Sequence, residues 1–170
     1  SELIIALEKV NPISRFRISS IEPNLLTDEI INFVAGSEKF LPYFHIPLQS
    51  GSDKILRSMQ RRYNKNNYVD RIKTIKDNIA DCCIGVDVIV GFPGETDADF
   101  METFTFLSIL EVSYLHVFTY SERDNTPAVN MEFSVSQNVR KNRSKMLREL
   151  SDKLQNTFIN SQIGRVRKVL

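Results

Sequence analysis

The sequence predicts an α/β domain built on a parallel sheet of about four strand–helix units. Three observations carry this. Short β-rich runs alternate with helical patterns as far as residue 133, with brief connections. Each β-rich run holds polar residues, mostly near its C-terminal end, where α/β folds bind ligands. No Gly-x-Gly-x-x-Gly follows any of these strands, which weighs against a dinucleotide-binding fold. The handedness of parallel crossovers leaves two arrangements, a doubly wound sheet or an arc of a barrel.

The elements follow in order. Residues 2–10 read as the end of a helix, and RFRISSIEP (15–23) as the first strand. Thr27 is placed to cap a helix over DEIINFVA that stops at Gly36. YFHIPLQ (43–49) reads as the second strand, with a helix opening at about residue 52 and a longer one from Asn67 to Ile79. IGVDVIV (84–90) is the third strand. Thr96 is its helix's expected N-cap, with Asp99 three residues on as a shorter stand-in for the capping-box Glu. YLHVFTY (114–120) is the fourth strand. From Ser134 to about Gln162 one long helical pattern places Leu147, Leu150, Leu154 and Phe158 at helical spacing. Gly164 ends it, and RVRKVL (165–170) begins what reads as another strand, as expected of a piece of a longer protein.

A chain of 170 residues, 42% hydrophobic and 25% charged, has the composition of one globular domain. No apolar run is long enough for a membrane span and no signal-peptide pattern opens the chain, so the expected location is the cytoplasm. The net charge of +1 hides an asymmetry: residues 1–135 hold 13 basic and 19 acidic side chains, residues 136–170 hold 9 and 2. Such a basic tail fits either a polyanion partner or a solvated helix face. The cluster Lys54, Arg57, Arg61 and Arg62 has the same two readings. Cys82 and Cys83 are adjacent, which is neither a metal-ligand spacing nor a disulfide framework, and they read as small buried residues at a strand entrance.

Parallel strands covered on both faces are normally continuous apolar runs. Here the first carries Ser19, Ser20 and Glu22, the second His45 and Gln49 followed by Ser50, the third Asp87, and the fourth His116, Tyr120 and Ser121 with Arg123 beyond. Their convergence is costly without partners, so a ligand site is expected at the strands' C-terminal ends. His116 reads as structural, and the two histidines are not expected to form a metal site. In the turn Gly91–Thr96, Gly91 and Gly94 remove side chains so that a ligand can approach the backbone beside a helix N-terminus.

Three blocks, HIPLQSGSDKILRSMQRRY, GVDVIVGFPGETDADF and FTYSERDNTPA, resemble in order and spacing the radical S-adenosylmethionine methylthiotransferases, over roughly residues 15–165. The resemblance implies the second half of a (β/α)6 partial TIM barrel over residues 1–133. It implies a linker helix over 134–163, and over 164–170 the start of a small RNA-binding domain. It implies S-adenosylmethionine as cofactor and two 4Fe–4S clusters in the full-length protein. The C-x3-C-x2-C motif that would hold one cluster is absent from this chain, so none is ligated here and no catalytic residue is assigned.

The same resemblance puts Gln49, Ser50, Asp87, Gly91, Glu95 and Arg123 with the cofactor, and Glu22, Tyr120, Ser121 and Arg123 with the substrate. SSIEPN with Glu22, together with GVDVIVG and LHVFTYSER, looks most like the branch that acts on N6-threonylcarbamoyladenosine beside the tRNA anticodon. Branches acting on isopentenyladenosine tRNA or on a ribosomal protein are the alternatives, as is a non-catalytic RNA-binding module that kept the fold. Asp124-Asn125 stands where the family usually has Pro-Gly before Thr126. An isolated half barrel is expected to associate through its exposed edge.

Overall fold

The computed structural model describes residues 2–124 and 126–166. Helix α1 (Glu2–Glu8) leads into β1 (Phe16–Ile18), α2 (Asp28–Gly36) and β2 (Phe40–His45). Then come α3 (Asp53–Ser58), α4 (Lys65–Asn78), β3 (Cys83–Val90), α5 (Asp97–Ile109), β4 (Tyr114–Thr119) and α6 (Gln137–Gln162). A short 3-10 turn, Pro127–Asn130, was not expected from sequence. The four strands form one parallel sheet in the order β1-β2-β3-β4. Sequential order with a helical segment after each strand is the arrangement of a barrel arc rather than of a doubly wound sheet.

The helices cover one face of this sheet. On β3, Ile84, Val86, Val88 and Val90 are fully buried there, joined by Phe44, Ile46 and Leu48 from the β2 segment and by Ile72, Ile75, Phe100, Leu107 and Leu147 from helices. The alternate residues Cys83, Asp87 and Ile89 are only partly buried and look toward the other face, which no helix among the described residues covers. The apolar–polar alternation of these parallel strands follows from that one-sided cover.

Two strand boundaries differ from expectation for backbone reasons. The first strand is three residues long rather than nine, because the chain turns away after Ile18 and only Ile21 still bonds to His45 across the sheet (3.0 Å). The second strand begins at Phe40, three residues earlier than expected, and its regular ladder stops at His45. Pro47 has no N–H to donate and Gln49 has φ +70°. The chain nevertheless stays on β3, since Ile46 donates to Gly85 (2.9 Å) and Leu48 to Asp87 (3.1 Å). Tyr68 satisfies the Ile46 carbonyl (2.7 Å), and Tyr63 those of Pro47 and Leu48 (3.1 Å each).

The caps match expectation more closely. Thr27 accepts from Ile30, and Thr96 with Asp99 forms a reciprocal capping box at the start of α5. Helix α6 starts at Ser136 as cap and packs along β4, with Leu147 and Leu150 buried and Leu154 against the core. Gly164 follows it at φ +80°. Of the strand expected over 165–170, Arg165 and Val166 are not in a strand and residues 167–170 lie outside the described residues.

Candidate functional site at the strand ends

The site builds from the turn between β3 and α5. Gly91 and Gly94 both have positive φ (+78° and +81°), which bends the chain sharply after Val90. Glu95 closes the turn from below: its carboxylate accepts from the Gly91 N–H (2.7 Å) and from Arg143 of α6 (2.6 Å). Arg143 also donates to the Glu95 carbonyl (3.2 Å) and to Asp97 (2.6 Å). Burial pushes the Glu95 carboxyl above its usual range, while the Gly91 N–H and Arg143 pull it back.

A second buried arginine, Arg140, holds the loop after β4. It donates to the Tyr120 carbonyl (2.9 Å), to Glu122 (2.7 Å) and to Ser134 (3.1 Å), and its guanidinium lies over the Tyr120 ring. Its bond to Glu122 holds that exposed carboxyl below its usual range. Gly91 is required here for close approach: a Cβ would collide with Cγ of Arg140. Above Gly94, in contrast, the space is open. The Tyr120 ring packs edge-on against Phe92, and its hydroxyl is buried without a hydrogen-bond partner among the described residues.

The residues singled out from sequence separate into groups. Gln49, Gly91 and Tyr120 do meet at the strand ends: Gln49 bridges to Val88, and the Tyr120 N–H bonds to Val90 (2.8 Å). Ser121 and Arg123 are exposed on the loop beyond β4, and the Arg123 carbonyl accepts from Thr126 (2.8 Å). Asn125, where the sequence departs from the family pattern, lies outside the described residues. Glu22 sits on the β1 side of the rim, paired with Arg61 (2.9 Å).

Ser50 and Glu95 lie behind the rim. Both are buried with their hydrogen bonds taken up inside the protein, Ser50 by Thr103 and the Ser52 N–H, so they shape the site from behind rather than face a ligand. Asp87, partly exposed, directs its carboxylate at His45 (2.8 Å) and His116 (3.4 Å) below the turn.

Sequence reasoning missed Arg140 and Arg143. Their spacing held the signal, because both fall on the helical stripe that continues through Leu147, Leu150 and Leu154. The basic cluster on the other rim is partly paired, Lys54 to Asp99 (2.7 Å) and Arg61 to Glu22. It borders a cavity of about 320 Å³ lined by Arg57, Arg61, Arg62 and Asn67.

The cysteines are unsuited to a cluster. Cys82 is buried and its thiol is pushed up to about 12 by burial, and burial likewise raises Cys83. They lie at the N-terminal entrance of β3, at the opposite end of the strand from the turn. The open backbone over Gly94 and the unpaired Tyr120 hydroxyl, by contrast, are features that a polar organic cofactor can occupy.

An α/β arc with a glycine turn at its C-terminal rim defines the class of protein. The Radical SAM superfamily pattern matches residues 1–107, and the chain belongs to that superfamily. It is 41% identical over 162 residues to the threonylcarbamoyladenosine tRNA methylthiotransferase MtaB of Bacillus subtilis, covering 95% of this chain and 36% of that protein. It is 36% identical over 170 residues to the tRNA-2-methylthio-N(6)-dimethylallyladenosine synthase of Acetivibrio thermocellus, covering all of this chain and 35% of that protein. The chain thus spans about a third of the length of these curated relatives. Among solved structures, the radical SAM enzyme coproporphyrinogen III oxidase (HemN) of Escherichia coli aligns with 86% of this chain and 31% of its own, at a TM-score of 0.54 and 15% identity. That likeness supports the fold.

Proposed function

We propose that this chain is part of a radical S-adenosylmethionine methylthiotransferase that adds a 2-methylthio group to N6-threonylcarbamoyladenosine in tRNA, beside the anticodon. The observation that carries the reading is the agreement of the three sequence blocks with relatives named as tRNA methylthiotransferases, 41% identical in the Bacillus subtilis case. The cofactor, once bound with its cluster, supplies the radical chemistry, and the cysteines for both clusters belong to parts of the protein outside this chain.

This chain's residues bind and orient. Gln49 offers its side-chain amide to the cofactor, and the turn Gly91–Gly94 offers close approach over Gly94, its Gly91 and Gly94 N–H groups being bonded to Glu95 and Phe133. Arg123, exposed beyond β4, offers a cation to its carboxylate or to the substrate. Ser50, Glu95, Arg140 and Arg143 hold that rim in place. Tyr120 and Ser121, at the β4 end of the rim, and Glu22, at its β1 end, face the modified base. The tRNA phosphates meet the exposed basic residues Arg57 and Arg62 and the outer face of α6. The work is done in the cytoplasm, where tRNA is.

Mass spectrometry of tRNA nucleosides from cells lacking the full-length gene tests this. The expected result is loss of 2-methylthio-N6-threonylcarbamoyladenosine with accumulation of its unthiolated precursor. Loss of the 2-methylthio form of isopentenyladenosine instead assigns the enzyme to that substrate. An unchanged profile overturns the tRNA reading and favours a ribosomal-protein substrate or a binding module.

A further inference from the structure

The face of the sheet that no helix among the described residues covers carries a second polar group, below the rim. His45 stands on β2, Asp87 on β3 and His116 on β4. Strand register brings them together: His45 is level with Gly85, and Asp87 is level with His116. One ligand-capable atom from each lies within 4.8 Å of the others. His45 Nε2 is 2.8 Å and His116 Nδ1 3.4 Å from the same oxygen, Asp87 Oδ1.

We propose that His45, Asp87 and His116 form a site for a divalent first-row transition ion of the zinc class. Ligand atoms bound at about 2.0–2.2 Å in a tetrahedron stand about 3.3 Å apart, and the separations of the two histidine nitrogens from Asp87 Oδ1, 2.8 and 3.4 Å, bracket that value. Two imidazoles and one carboxylate are the donor set that selects zinc or ferrous iron over magnesium or calcium.

The surroundings fit a metal centre. The Tyr43 hydroxyl lies 3.5 Å from His45 Nδ1, on the ring atom opposite the one that would bind, and so orients the ring. Tyr43 is itself held by the Tyr114 hydroxyl (2.6 Å). Gly85 makes room for that pair, since a Cβ there would collide with the Tyr114 ring. Three neighbouring strands fix the three backbones, while His116 is half exposed and leaves the remaining coordination positions open toward solvent. Asp87 is four residues below Gly91, on the order of 13 Å along β3, and the rim reaches toward this layer through Gln49, whose N–H donates to the Asp87 carbonyl (2.9 Å). The inference does not depend on which substrate the rim serves.

The test uses the full-length protein, loaded with Zn2+, dialysed, and measured for zinc per polypeptide and by zinc-edge X-ray absorption. That edge is element-specific, so iron elsewhere in the protein does not interfere. The expected result is one zinc retained, with nitrogen and oxygen ligands at about 2.0–2.1 Å and no sulfur shell near about 2.3 Å. His116→Gln, at a half-exposed position, and Asp87→Asn, which keeps the shape, should each weaken retention by ~10-fold or more, and Tyr43→Phe by about tenfold. Far-UV circular dichroism confirms that the variants fold. No retained zinc, a sulfur shell, or retention unchanged in both ligand variants overturns the site.

Discussion

Arg143 is the side chain on which the turn after β3 most depends. It is buried and joins α6 to Glu95, whose carboxylate is itself almost fully buried. Removing one partner of such a pair leaves a charge uncompensated in the interior. Arg143→Met should therefore destabilise the protein by about 3–5 kcal/mol in urea unfolding. Adding Glu95→Gln should restore part of that loss, and strict additivity of the two changes would count against the pairing. Asp99 gives a pH signature. Burial opposes its ionisation, but bonds from Lys54, from the hydroxyl and N–H of Thr96 and from Ser52 outweigh it and hold the carboxyl at about 2. A carboxylate in the unfolded chain titrates near ~3.9, so the stabilisation is complete above that pH and is lost as pH falls through about 2. Asp99→Asn should lower stability at neutral pH by about 2–3 kcal/mol and remove this part of the acid limb. Stability measured against pH in both proteins checks it.

At the scale of elements, α6 decides the shape of the rim. Leu147 and Leu150 pack on the sheet, and Ser151 does a different job at the edge strand. The Ser151 hydroxyl accepts from the Leu115 N–H (2.9 Å) and donates to the Leu115 carbonyl (3.1 Å), closing backbone groups of β4 that have no next strand among the described residues. Ser151→Val should cost about 1–3 kcal/mol by leaving both unsatisfied, and Leu147→Ala about 2–5 kcal/mol through its cavity, each read by chemical unfolding. The apolar stripe of α6 was legible because its spacing repeats. The arginines on the same stripe were not, because side-chain type assigns a guanidinium to solvent and only the loops it meets across the fold reverse that. The helix caps at Thr27 and Thr96 were legible because a cap is local. The first strand was over-read, since its length is set by where the chain leaves its neighbour β2.

On the scale of the whole molecule, the order of strands was legible from alternation, but the uncovered face was visible only as polar residues in unexpected places. Alternation could not say that His45, Asp87 and His116 converge on one face, because register between strands is a tertiary property. That face has a physical consequence for this chain in isolation. Phe118 of β4 is 52% exposed on it, and β1 leaves an unpaired edge at the other side of the sheet. Ser151 protects the β4 edge at Leu115, so association should proceed through the open face and β1 rather than through β4. The 170-residue chain should sediment with a concentration-dependent mass, and Phe118→Lys should shift it toward monomer without altering the far-UV spectrum. Phe118 is the right probe because its exposure means that the substitution removes no packing from the core. A stable monomer of the unsubstituted chain at all concentrations would show that the open face is not self-adhesive, and would point to its polar layer as sufficient cover.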